Sequence, residues 1–247
     1  MIDAVIFDLD GTLVQTEIVK AESYARAAAL LNPAVQPSKV MEAFKEVVGL
    51  PRREVAEALI EHFYLADAAE QRMTEFGVQK PWQVYVQIRL QIYAEMLADS
   101  HILHDHLCHY NVELLRYARR QGLKTGLATM SHCQQARQVL EILELADQFD
   151  FIATRDDVEN GKPHPEINLL AAKELKVSPE ECLVIEDSTY GVKAALAAGM
   201  HCIGVTTDFT RTAIHESDLL PGPRIVDDPQ DLLRVAQQLI DDESKVS

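Results

Sequence analysis

The sequence predicts an α/β fold: a Rossmann-like, doubly wound parallel sheet with an inserted α-helical domain. Three observations carry that reading. Five short apolar runs of strand length recur along the chain, as expected of strands buried on both faces. From residue 110 onward they alternate with segments of 3.6-residue apolar spacing, the pattern of successive βαβ units. Between the first run and the second, about a hundred residues show helical spacing and no strand, whereas a crossover needs a single helix.

In chain order, AVIFDL near residue 4 is the first strand, followed by TGLATM near 125, FDFIAT near 149, CLVIED near 182 and HCIGVT near 201. RIVDD near 224 is a weaker sixth. Ala136, Val139, Leu140 and Leu143 mark one helix between strands, and Ile167, Leu170, Ala171 and Leu175 mark another. Gly122 and Gly199 stand where helices end, just before the next strand. In the long interval, Ile18, Ala21, Ala25 and Ala28 form one stripe, Val55, Leu59 and Phe63 a second, and Trp82, Tyr85, Ile88, Ile92 and Met96 a third, with Pro37, Pro51 and Pro81 as punctuation. This predicts a helical domain over residues 15–98, inserted into a core made of 1–14 and 99–247.

Composition narrows the partners. The 23 Lys and Arg face 39 Asp and Glu, so a formal charge of −16 repels polyanions, and no basic stripe relieves it. Nucleic acid is therefore not expected as a partner. No apolar run approaches the roughly 20 residues of a membrane span, and MIDAV is not the start of a basic, then apolar, leader. A cytoplasmic protein is expected, with a monomer and a small homo-oligomer both open. Cys108, Cys133, Cys182 and Cys202 are scattered without a CxxC pair, which predicts reduced thiols rather than a disulfide framework.

The chemistry gathers at strand ends. In VIFDLDGTLV, Asp8 and Asp10 lie two residues apart in extended chain, so they share a side, and Gly11 permits a sharp turn after them. Taken alone, DxDG also fits a surface turn or a helix cap; a calcium loop fits less well, because DLDGTL lacks an acceptor before the glycine and follows a strand. Three other strand ends are polar as well. The second ends in Thr129 and Ser131, the third leads to Lys162 in GKPHPE, and the fourth ends in Glu186 and Asp187. A parallel sheet places all of these on one edge, where ligands of open α/β sheets bind. Four carboxylates in one crevice repel unless a cation sits among them, and an all-oxygen donor set suits Mg²⁺.

DLDGTL, ATMS, GKPHPE and VIEDS, in that order, resemble the four motifs of the haloacid dehalogenase-like hydrolase superfamily, and the likeness spans essentially the whole chain. The helical insertion directly after the first motif is similar to that superfamily's α-helical cap. The resemblance implies that Asp8 is the nucleophile, forming an aspartyl-phosphate, and that Asp10 is the general acid and then the base. It implies Mg²⁺ held by Asp8, the Asp10 carbonyl and Asp187, with Glu186 behind them orienting a metal-bound water or supporting Asp187. Thr129, the Met130 amide and Lys162 would bind phosphoryl oxygens.

The second acid points away from dehalogenation and toward phosphate esters. A phosphatase acting on a small phosphorylated metabolite such as a sugar phosphate is expected, with a phosphomutase similar to β-phosphoglucomutase as the alternative. A phosphate-binding signalling module is the rival outside enzymes, but such receiver modules are about half as long and lack a helical insertion. VGLPRRE at 48–54 is similar to a substrate-contacting cap loop, which makes Arg52 a substrate candidate. Lys20 is a more distant one, at a position where the mutase carries a histidine. Gln15 stands where an acid is common, and HILHDHLCHY replaces the expected proline-glycine near the second hinge. Its His101, His104, His106 and His109 read either as a transition-metal site or as a hydrated hinge.

Overall fold

The computed structural model describes residues 1–48 and 50–245. Gly49, part of the substrate-loop reading of VGLPRRE, lies outside the described residues. In order, the elements are β1 (Ala4–Phe7), α1 (Thr16–Leu31), α2 (Pro37–Val47), α3 (Arg52–His62), α4 (Ala66–Gln71), α5 (Met73–Phe76), α6 (Pro81–Ala98), α7 (Ser100–Asp105), α8 (His109–Arg120) and β2 (Lys124–Ala128). There follow α9 (Cys133–Ile142), β3 (Phe151–Ala153), α10 (Glu166–Leu175), β4 (Cys182–Glu186), α11 (Thr189–Ala197), β5 (His201–Val205), α12 (Arg211–Glu216), β6 (Ile225–Val226) and α13 (Leu232–Lys245). The chain divides into two compact units, one of residues 1–15 and 103–247, the other of 16–102.

The first unit is built on a six-stranded sheet of order β3-β2-β1-β4-β5-β6, with every pairing parallel. All six expected strands are present: β1, β2, β4 and β5 are buried over almost their whole length, whereas the edge strands β3 and β6 are shorter and partly half-buried. Val5 pairs with Thr125 on one side and with Leu183 on the other, so β1 is central. Ala4 and Ile6 of β1 pack with Ile167, Ala171 and Leu175 of α10 and Val192 and Ala195 of α11. Cys182 and Cys202 are fully buried in that layer, and all four cysteines are free thiols. The ends of α8 and α11 close as the glycines predict: Gly122 and Gly199 take φ of +77° and +76°, which only glycine adopts freely.

The strand order reverses between β1 and β4, and there the carboxyl ends of two neighbouring strands open a crevice. β1 runs into Asp8, whose amide continues the ladder to the Ile185 carbonyl at 3.0 Å. β4 ends on Glu186 and is followed by Asp187.

Where the chain leaves and re-enters this unit, Val14 bridges Leu107 antiparallel, the Gln15 amide donates to the His106 carbonyl at 2.9 Å, and the Cys108 amide donates to the Leu13 carbonyl at 2.9 Å. The Gln15 side chain adds a contact from Nε2 to the Cys108 sulfur at 3.3 Å. The histidine-bearing segment therefore supplies one edge of a short ribbon, between α7 and α8.

Among its described residues the second unit has helices joined by turns and no strand, with α1 and α6 packed together. The Tyr85 hydroxyl of α6 donates to the Tyr24 carbonyl of α1 at 2.9 Å, and the two rings meet edge to face at 5.5 Å. The third sequence stripe is only partly inward: Tyr85, Ile88 and Met96 are buried, whereas Trp82 and Ile92 are half-buried.

Candidate active site

Four sheet ends deliver the site in the first unit. Gly11 turns the chain after Asp8 and Asp10 with φ +79°, and the turn closes with the Gly11 amide donating to the Val14 carbonyl at 2.7 Å. A side chain at 11 would also collide with Asp187, since its Cβ would sit 2.0 Å from Asp187 Oδ2. The missing side chain lets the first loop lie against the fourth.

Asp8, Glu186 and Asp187 are buried, and each offers a carboxylate oxygen within 4.8 Å of the others. Lys162 reaches this group from the loop after β3. Its Nζ donates to Asp8 Oδ1 at 2.8 Å, to the Ala128 carbonyl at 2.8 Å and to Glu186 Oε1. An ammonium has three N–H donors, so all three are used.

Burial pushes the Asp8 carboxyl up to about 7, against the pull of Lys162, while Glu186 and Asp10 push the same way as burial. Burial also opposes the charge on Lys162, but Asp8 and Glu186 outweigh it and hold the lysine protonated above its ordinary range. One ammonium among three buried carboxylates leaves a net negative group. An all-oxygen, negatively charged, buried donor set fits a hard divalent cation.

Asp10 has a different setting. The Ser131 hydroxyl donates to Asp10 Oδ2 at 2.6 Å, and Thr129 Oγ1 lies 3.5 Å from the same oxygen. The Ser131 amide in turn donates to Thr129 Oγ1 at 3.0 Å, so the loop after β2 folds around its own threonine. Met130 sits between them, half-buried. The structure thus brings Asp8, Asp10, Thr129, Met130, Lys162, Glu186 and Asp187 onto one sheet edge. The triple contact of Lys162 and the bond from Ser131 to Asp10 are not visible in the sequence, because both depend on loops many residues apart.

Lys20 and Arg52 lie in the helical unit. Lys20 Nζ pairs with Glu17 Oε1 at 2.6 Å, and Arg52 starts α3 exposed. A third cation there escapes sequence reasoning. Arg89 of α6 is 5% exposed, and its guanidinium lies over the rings of Tyr24 at 4.9 Å and Tyr93 at 4.4 Å. No hydrogen bond reaches its buried Nε, and no carboxylate pairs with it among the described residues. Burial lowers the pKa of Arg89 against the opposing pull of Tyr24 and Tyr93, with Arg52 adding like charge and Glu17 opposing it. Its signal in the sequence is an arginine inside an apolar stripe, with tyrosines four residues before and after it.

The profile of the haloacid dehalogenase-like hydrolase family matches residues 2–199, and the chain belongs to that family. The chain is 31% identical over 201 residues to the phosphorylated carbohydrates phosphatase of Thermotoga maritima, covering 81% of this chain and 83% of that one. It is also 31% identical over 234 residues to the phosphoglycolate phosphatase of Salmonella typhimurium, covering 89% and 88%. Among solved structures, β-phosphoglucomutase of Clostridium difficile is similar at a TM-score of 0.65 and 25% identity, with 100% of both chains covered.

Proposed function

We propose that this protein is a Mg²⁺-dependent phosphatase that hydrolyses a small phosphomonoester, a sugar phosphate or a similar metabolite, through an aspartyl-phosphate. The observation that carries this reading is the buried cluster in which Asp8 meets the Lys162 ammonium beside Glu186 and Asp187, with Asp10 on the same sheet edge. Asp8 is buried against Lys162, while Asp10, two residues on, accepts from the Ser131 hydroxyl. The relatives named as phosphatases support it.

Asp8 attacks phosphorus as the bond to the leaving oxygen breaks, and Asp10 gives that oxygen its proton. Asp10, now ionised, takes a proton from water as the water attacks the aspartyl-phosphate, releasing inorganic phosphate and restoring both acids. Thr129 and the Met130 amide hold phosphoryl oxygens, and Lys162, turning one of its three donors from a protein acceptor to the phosphoryl group, offsets charge as it spreads in the transition state. Asp8, the Asp10 carbonyl and Asp187 would hold Mg²⁺. When bound, that ion supplies the charge neutralisation that lets an anionic nucleophile approach an anionic ester.

The helical unit, 16–102, is the cap in this reading, and its Lys20 and Arg52 are the substrate-selecting cations. Cations in the cap favour a substrate that carries a second anionic group. The same feature suits the phosphomutase alternative, supported by the likeness to β-phosphoglucomutase.

A panel of phosphate monoesters, with and without Mg²⁺, tests the reading, with a hexose bisphosphate included. We expect Mg²⁺-dependent phosphate release that Asp8→Asn lowers by about 10³-fold or more, and greater activity on substrates with two anionic groups. Equal rates for wild type and Asp8→Asn overturn the enzymatic reading. Isomerisation that needs trace bisphosphate and releases little phosphate replaces the phosphatase with the mutase.

A further inference from the structure

We propose that Gly191 is a positioning residue for Lys162, acting through Glu186. The inference rests on the phosphatase reading and adds residues outside the four motif acids and the lysine.

Glu186, 1% exposed, has both carboxylate oxygens engaged: Oε1 accepts from Lys162, and Oε2 accepts from the Ser188 hydroxyl at 3.2 Å. Ser188 is the N-cap of α11, and its oxygen also accepts from the Gly191 amide at 3.0 Å. One hydroxyl thus uses its proton on Glu186 and a lone pair on the helix. The glutamate side chain fills the space that a side chain at 191 would need. A Cβ there would lie 1.9 Å from the Glu186 Cδ and 2.0 Å from each oxygen.

Backbone conformation does not explain this glycine, since residue 191 lies in α11 and is not among the glycines with positive φ. Inside a helix glycine is otherwise unfavourable. Its absent side chain is what admits Glu186, and Glu186 is one of the three acceptors that aim Lys162. The chain of contacts runs from Gly191 and Ser188 to Glu186, then to Lys162 and to Asp8, every link on the sheet edge and in one unit. Glu186 thus aims the lysine with one oxygen and meets the α11 cap through Ser188 with the other, and in this proposal the cation is held by Asp8 and Asp187.

The test measures kcat on the best ester of the panel and, separately, Mg²⁺ binding to the protein by titration calorimetry. Gly191→Ala should lower kcat by about 10- to 100-fold, yet by no more than about twofold in a Glu186→Ala background, where the collision is gone. Mg²⁺ affinity should stay within about threefold for Gly191→Ala and Glu186→Ala but fall more than about tenfold for Asp187→Asn. Equal losses from Gly191→Ala in both backgrounds overturn the inference, as does a Glu186→Ala protein that loses Mg²⁺ as fully as Asp187→Asn. If Gly191→Ala does not fold, as a thermal melt would show, Ser188→Ala replaces it, with a smaller loss that must also vanish in the Glu186→Ala background. A wild type silent on every ester overturns the phosphatase reading instead.

Discussion

Lys162 is the residue on which the site's electrostatics turn. Removing one partner of a buried ion pair strands the others, so Lys162→Met should destabilise the metal-free protein by about 3 kcal/mol or more. Mg²⁺ should restore part of that loss, and denaturant titrations with and without Mg²⁺ read both. A variant as stable as wild type in EDTA would mean the carboxylates do not need the ammonium. The thiols give a second prediction. Burial pushes Cys108 and Cys182 up from the ordinary 9.0 to about 12, and Cys202 upward as well. A raised acid contributes stability that is present below its unfolded pKa and lost as pH rises toward the folded one, here from about 9 upward. At pH 8 an alkylating reagent should therefore modify Cys133 first, with the other three protected until the protein unfolds, as peptide mapping would show. The placement of the motif residues on one sheet edge was legible in sequence because extended chain and a parallel sheet dictate where they point. Arg89 was not, because a helical stripe reads as core whether or not it holds a charge.

Among elements, the loop from Asp8 to Val14 has the tightest requirements. Gly11 provides the left-handed turn, the Leu13 amide donates back to the Leu9 carbonyl at 2.9 Å, and Val14 pairs with Leu107. From α8, buried Asn111 donates to the Thr12 carbonyl at 2.6 Å. Asn111→Ala leaves that carbonyl without its donor and should cost about 1–3 kcal/mol, measurable by chemical denaturation. A change below about 0.5 kcal/mol would show that another group satisfies Thr12. Strand positions were readable because two-sided burial demands an apolar run. The segment His101–His109 was not, since its role comes from backbone pairing with residues nearly a hundred positions earlier, and side-chain types say little about backbone partners.

For the whole molecule, charge sets approach. A formal −16 repels phosphorylated substrates over a Debye length of about 30 Å at 0.01 M salt and about 8 Å at 0.15 M. The value of kcat/KM for a phosphate ester should therefore rise when neutral salt is raised from 0.01 to 0.15 M, and stopped-flow or initial-rate kinetics decide it. A fall would mean that the local cations, not the net charge, govern encounter. No helix among the described residues is long and apolar enough to cross a membrane. Period and polarity in the sequence alone determined the class of fold, the order of strands and helices in the core, and the gathering of Asp8, Asp10, Thr129, Lys162, Glu186 and Asp187 on one edge. These follow because a parallel sheet has one carboxyl edge and βαβ crossovers have one hand. Only the tertiary structure decided what each group touches: Ser131 on Asp10, Glu186 shared between Lys162 and Ser188, the spaces left by Gly11 and Gly191, and Arg89 buried between two tyrosines. The physical reason is range. Periodicity reports which face a residue occupies, whereas a hydrogen bond or a collision is settled within about 3 Å, by segments that meet only when the chain has folded.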